Sequence, residues 1–279
     1  MFVLLRITEG GSDFKSRLRD RFFAPEFELE RIEMKKAAPF FVMTCRKYRG
    51  CVPYNTIAAA SGKMKNKIVL PSGFETPENA PIKPFEGRKL RRQLLINTAH
   101  KILCGTQSVC SARRDLTLVD KFGAYTQRIE DFAECVEHLT VLTDVPERYE
   151  RTAERLMERF GVSLIVRKGA YFGGEHGIVI SDLSKNISPY FKGLLFTNDT
   201  VFPPCAHIVT GGGVDLCGYT DFEFPPEFDS VEIGEAMYEL CYAGRLGDLG
   251  YKAVSFDGVW GTYEEISPLC LNSAAARCK

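Results

Sequence analysis

Apolar positions along the chain change period between two and about 3.6, and those changes mark the elements. Phe2–Ile7, Phe27–Ile32 and Phe40–Cys45 carry the apolar and aromatic content of strands. Pro53–Met64 reads as a short helix, with Pro53 tolerated in its first turn. Ile68–Leu70 is a further short strand stopped by Pro71. From Pro71 to Pro84 prolines recur too often for a helix or a central strand, so this stretch is read as a linker or a long inter-lobe loop. Leu90, Leu94, Leu95, Ala99, Ile102 and Leu103 then follow at helical spacing, with Gly105 placed to end the helix.

The clearest patterning runs from Leu116 to Asp199. Leu116–Asp120 is a buried-strand pattern, and Ile129, Phe132, Ala133, Val136 and Leu139 then predict a helix. Thr140–Thr143 is a second strand, and Tyr149, Ala153, Leu156, Met157 and Phe160 form the buried face of the helix after it. Asp144 is placed to cap that helix through the Glu147 N–H, and Gly161 to end it in the left-handed conformation. Ser163–Val166, Gly177–Ser181, Gly193–Phe196 and Ala206–Thr210 supply further strands.

Strands and helices alternating through short joints imply a mainly parallel sheet with right-handed crossovers. The expected fold is therefore α/β, with a Rossmann-like sheet and flanking helices preceded by a smaller α/β lobe. The boundary implied by the proline-rich stretch gives a lobe over 1–84 and the Rossmann-like domain over 85–279. Near the end, Phe222–Phe228 reads as a covering loop, Asp229 and Glu232 as a capping pair before a helix burying Ile233, Ala236, Met237, Leu240 and Cys241, and Ala253–Phe256 as a last strand.

Charge adds little direction. The 36 Lys and Arg balance 36 Asp and Glu, so no global field favours nucleic acid or an anionic membrane. No apolar run approaches the roughly 18–20 residues that span a bilayer, and Met1–Ile7 lacks the pattern of a secretory signal; a cytoplasmic protein is expected. The ten cysteines form no Cys-x-x-Cys and no zinc-finger spacing. They read as reduced, buried small hydrophobes, and no metal site is expected.

In open α/β sheets ligands bind beyond the carboxyl ends of the strands. Asp120, Asp144, Asn198, Asp199 and the glycines Gly211, Gly212 and Gly213 all fall at predicted strand ends. Gly123 lies in the turn after the first strand of the series, where a dinucleotide fold carries its glycine-rich loop, but Gly-x-Gly-x-x-Gly is absent. Asp144 stands where a ribose-binding acid would, so NAD or NADP is one cofactor reading. Thr210–Gly213 is a candidate anion nest. Of the four histidines, His176 in a glycine-flanked loop is the acid/base candidate, and His207 beside Cys205 would need an orienting group to act as a base. The basic run Arg88–Arg92, which Arg46–Arg49 could join, reads as a solvated helix face; because it opens a helix against the dipole, an anionic partner or an acidic one within the chain is the alternative.

These features support a binding or regulatory module for a nucleotide-like or phosphorylated small ligand. The alternatives are an NAD(P)-dependent oxidoreductase with a nonstandard phosphate loop, and an assembly partner using Phe222–Phe228 as an apolar patch.

Overall fold

The computed structural model describes residues 1–9, 15, 27–48, 50–105 and 115–276. Its strands are β1 (Val3–Thr8), β2 (Phe27–Ile32), β3 (Phe40–Arg46), β4 (Ile68–Val69), β5 (Asp115–Val119), β6 (His138–Thr143), β7 (Leu164–Lys168), β8 (Ile178–Ser181), β9 (Leu194–Phe196), β10 (His207–Gly212), β11 (Ala253–Phe256) and β12 (Val259–Gly261). The α-helices are α1 (Tyr54–Ser61), α2 (Lys89–Cys104), α3 (Glu150–Phe160), α4 (Ser230–Leu240) and α5 (Tyr263–Ala276). They divide between two compact units, Met1–Leu90 with Val214–Gly247, and Arg91–Gly213 with Asp248–Lys279.

In the first unit β2-β3-β1-β4 form a sheet in which β1 runs parallel to β3 and β4 while β2 closes the edge antiparallel. Val3, Leu5, Met43, Cys45, Ile57 and Ile68 make its core. Val214–Gly247 belongs here because its aromatics complete that unit. Phe222 and Phe224 sit 5.9 and 5.8 Å from the Phe40 ring, which stacks on Phe2 at 4.9 Å. The backbone N–H groups of Lys35, Ala38 and Ser72 also donate to Tyr219, Cys241 and Glu227. The single boundary expected after residue 84 is thereby corrected: the chain leaves the second unit at Gly213 and returns to it at Asp248.

The basic start of α2 finds an acidic partner within the chain. Glu235 accepts from the Leu90 N–H at 2.8 Å, and Glu239 accepts from the Arg88 and Lys89 N–H groups at 3.2 and 3.3 Å. Two carboxylates from α4 thus do for this helix what a capping side chain does elsewhere; Arg49, the last member of the second basic run, lies outside the described residues. Burial works against the charged form of Glu239, but hydrogen bonding with Glu235 and with the Lys89 backbone and side chain outweighs it and holds the carboxyl below its usual range. A depressed folded-state pKa means stability that is present above the unfolded value and lost as pH falls. Urea midpoints should therefore decline below about pH 4.5, and Glu239→Gln should flatten that decline; an unchanged pH profile would contradict the assignment.

The second unit holds an eight-stranded sheet in the order β12-β11-β10-β9-β8-β5-β6-β7. From β7 to β10 every neighbouring pair is parallel, while β11 and β12 add an antiparallel edge. Counted from β5, the parallel strands run 3-2-1-4-5-6, the order of the Rossmann fold. The fold is Rossmann-like and mixed α/β.

Period-two alternation distributes its side chains between two cores. Leu116, Leu118, Ile178, Ile180, Leu194, Phe196 and Val209 face one side, where α2, α3 and α5 cover them through Leu95, Ala99, Ile102, Leu156, Ile266 and Leu271. Val119, Val179, Leu195 and Ile208 face the other, under Phe172, Ile187, Phe191 and Ala206 from connecting loops. Helices therefore cover one face and compact loops the other. Buried on both sides, β8 and β9 read as continuous apolar runs rather than alternating ones.

Several local expectations are corrected. The residues assigned to a helix at Ile129–Leu139 are buried as expected, but they form a 3₁₀ turn over Ile129–Phe132, and β6 already begins at His138. A 3₁₀ turn also places i and i+3 on one side, so the apolar spacing alone did not separate the two. Asp144 caps no helix: it is exposed, a 3₁₀ turn starts at Pro146 without a side-chain cap, and α3 starts at Glu150. Gly161 does end α3 at φ 66°, and Asp229 does cap α4, accepting from the Val231 N–H at 2.9 Å.

The expectation of uniformly reduced cysteines is also corrected. Cys104 and Cys135 are joined as a disulfide with Cα atoms 5.3 Å apart, because the end of α2 and the turn before β6 pack on the same sheet face. Cys45, Cys241 and Cys270 are buried free thiols; burial, helped by Asp257, pushes Cys270 up to about 12.

Candidate ligand site

The strand order reverses direction at β5 and β8, and the loops leaving their carboxyl ends diverge there. Asp120 follows β5 and Asp182 follows β8. Asp120 is 4% exposed. Its Oδ2 accepts from the Tyr125 N–H at 2.8 Å and from the Tyr149 hydroxyl. Tyr125 and Tyr149 are themselves fully enclosed by the helix-side core.

A second group of polar side chains is built on Asp182. The Arg92 Nε donates to its Oδ2 at 2.8 Å, and the Asn198 amide donates to its Oδ1 at 3.1 Å and to the Arg91 carbonyl at 3.0 Å. Tyr251 donates its hydroxyl to the Asn198 Oδ1 at 2.6 Å. Between the two groups lies the Tyr125 phenol. Burial, then the carboxylates Asp182 and Asp120, hold it protonated well above its usual range, with Arg92 acting in the opposite direction. Tyr149 is likewise kept protonated, by burial and by Asp120. Among the described residues the Tyr125 hydroxyl has no hydrogen-bond partner. A buried hydroxyl left unmatched costs about 1–3 kcal/mol, so its setting calls for an explanation.

The outer rim is cationic and aromatic. Phe122, 52% exposed, has the Arg92 guanidinium 5.9 Å and the Lys121 ammonium 5.5 Å from its ring centroid. Arg148 donates to the Phe122 carbonyl at 2.9 Å and is exposed.

Most of the residues proposed from sequence share this edge. Asp120 and Asn198 belong to the polar network, and Asp199 supports it by accepting from the Ser184 N–H and hydroxyl at 3.2 and 2.8 Å. Asp144, after β6, donates its N–H to the Lys121 carbonyl at 3.4 Å but keeps its carboxylate exposed. Gly211 and Gly212 are not a loop nest: they complete β10, and only Gly213 turns, with φ 69°. Gly211 allows the Tyr251 ring to lie against the strand, since a Cβ there would fall 2.0 Å from it. His176 is exposed ahead of β8, at the amino edge of the sheet and away from this network. His207, also at the amino edge, pairs through Nδ1 with Asp257 at 2.7 Å.

The residues that complete the network, Arg92, Tyr125, Tyr149, Asp182 and Tyr251, carried weaker signals. Asp182 was accessible to the strand-end rule, since it directly follows Ser181. Tyr149 read as a core residue, and Arg92 and Tyr251 come from segments far apart in the chain.

A dinucleotide does not fit the first turn. Binding its pyrophosphate there requires free backbone N–H groups at a helix N-terminus. Here β5 is followed by a 3₁₀ turn, the Tyr125 N–H is taken by Asp120, and a Cβ on Gly123 would meet Arg148 at 2.6 Å.

No family model matches the chain, and no curated protein matches it. Among solved structures the chain is similar to L-tryptophan dehydrogenase from Nostoc punctiforme, at 9% identity and a TM-score of 0.27, over 70% of this chain and 62% of that one. The chain thus spans less than two thirds of that protein's length. The strand order carries the fold assignment without it. No described helix is long and apolar enough to cross a membrane.

Proposed function

We propose that the second unit is a binding module for a small anionic ligand, of the nucleotide or phosphorylated-metabolite class, seated over the carboxyl ends of β5, β8 and β9. One observation carries this reading: polar side chains from several separate segments converge at the switch point of a parallel sheet, with a buried hydroxyl that has no partner among the described residues. Arg92, Lys121 and Arg148 supply positive charge at the rim for the anionic group. Phe122 offers an exposed ring to a planar or apolar portion. The same set gives no nucleophile–base pair and no dinucleotide loop, so binding is favoured over NAD(P)-dependent hydride transfer.

Thermal unfolding in the presence of nucleotides, sugar phosphates and inorganic phosphate tests this. A bound probe at a hundred times its dissociation constant adds about 2.7 kcal/mol of stability. At least one phosphorylated probe should raise the midpoint, and replacing both Lys121 and Arg148 with glutamine should reduce that shift while leaving the unliganded midpoint nearly unchanged. No shift with any phosphorylated probe at millimolar concentration would overturn the proposal.

A further inference from the structure

We propose that the buried end of this ligand carries hydroxyl groups, which hydrogen-bond to Asp120 and Tyr125, so that the ligand is a polyhydroxylated phosphate ester rather than a simple anion. The inference rests on the binding reading above and adds the chemistry of the inner end.

Asp120 is almost fully buried, yet both of its side-chain bonds fall on Oδ2, from Tyr149 and from the Tyr125 backbone. Among the described residues no donor reaches Oδ1, which keeps acceptor capacity for a further hydrogen bond. The adjacent Tyr125 hydroxyl is the complementary case, a group able both to donate and to accept but with no described partner.

An acceptor-only carboxylate beside a donor–acceptor phenol matches a ligand hydroxyl, which can give a proton to Asp120 and accept one from Tyr125. A phosphate group, anionic at neutral pH, is repelled by a carboxylate. A metal ion is not favoured either: the described residues contain no cluster of three His, Cys, Asp or Glu able to hold one. An ammonium could serve Asp120, but Arg92 and the cationic rim work against a positive group here. The two layers therefore select opposite ends of one molecule, hydroxyls within and an anion outside.

Isothermal titration of the 279-residue chain with four probes tests the inference: ribose 5-phosphate, n-pentyl phosphate, ethanolamine phosphate and inorganic phosphate. Ribose 5-phosphate should bind at least about ten-fold more tightly than n-pentyl phosphate, the ratio worth about 1.4 kcal/mol. Tyr125→Phe should erase much of that preference without weakening n-pentyl phosphate. Its unfolding midpoint should not fall, because the removed hydroxyl has no described protein partner. Asp120→Asn, which retains an acceptor for Tyr149, provides a second variant with the same expected loss.

Equal affinity for ribose 5-phosphate and n-pentyl phosphate, or a ribose preference that survives both substitutions, would overturn the inference while leaving anion binding intact. Tighter binding of ethanolamine phosphate would overturn it in favour of an ammonium. Failure of all four probes to bind would contradict both this inference and the binding reading on which it rests.

Discussion

Replacing Gly211 with alanine is expected to destabilise the second unit by about 1–3 kcal/mol, the range for overpacking a filled interior. The backbone of Gly211 has no positive φ that would exclude a side chain; the obstacle is the neighbour. A new Cβ would lie 2.0 Å from the Tyr251 ring and 2.7 Å from its Cβ, so a ring rotation alone cannot relieve the clash. Tyr251 is also fixed by its backbone, whose N–H donates to Thr98 at 3.3 Å and whose carbonyl accepts from Tyr263 at 2.9 Å. Displacing it would withdraw the hydroxyl from Asn198 and loosen the amide that holds Asp182. The same variant should therefore weaken any ligand that stabilises the wild-type protein. Gly218→Ala, with open space around the added methyl, is the control and should change neither quantity. Chemical denaturation read by far-ultraviolet circular dichroism, with and without ligand, measures both.

The second large effect is expected at Asp120. Alanine there removes the acceptor for two buried donors at once, the Tyr149 hydroxyl and the Tyr125 N–H. Each orphaned donor costs about 1–3 kcal/mol, partly offset because a buried carboxylate is removed with them. A net loss of about 2–4 kcal/mol is expected. Asp120→Asn should cost less because it retains an oxygen for Tyr149. In a double-mutant cycle, Asp120→Ala and Tyr149→Phe should be clearly non-additive, since removing either partner already breaks the same bond. Additive losses would show that the bond contributes little.

Asp120 also illustrates what was legible from the sequence. The strand pattern Leu116–Asp120 placed it at the end of a buried strand, and the general behaviour of parallel sheets made that end a place to look. The same reasoning placed Asn198 at the carboxyl edge of the sheet, after β9. Gly161 and Asp229 were legible for a simpler reason: their structural roles depend only on neighbours within a few residues.

Features set by distant parts of the chain were not legible. Tyr149 has the apolar spacing of a core residue, and only the fold brings its hydroxyl to Asp120. Arg92 looked like one charge in a basic run, yet it pairs with an aspartate ninety residues away. Glu235 and Glu239 resembled ordinary residues of their own helix, but they cap the start of another. Nothing local joined Val214–Gly247 to the first unit, because the aromatic ring it covers, Phe40, lies far upstream. Pro268 and short apolar runs obscured α5, whose helix forms against the core through Ile266, Cys270 and Leu271.

Hydrogen–deuterium exchange with and without the phosphorylated probe that gives the largest thermal shift locates the bound ligand. Binding at the switch point predicts slower exchange in Lys121–Tyr125, Asp182–Ser184 and Asn198–Thr200, the loops leaving β5, β8 and β9. The first unit contains a rival location, an open cavity of about 510 Å³ lined in part by Tyr48, Pro53, Tyr54 and Pro81. Protection confined to that cavity, with unchanged exchange in the three loops, would contradict the assignment of the site to the Rossmann-like sheet.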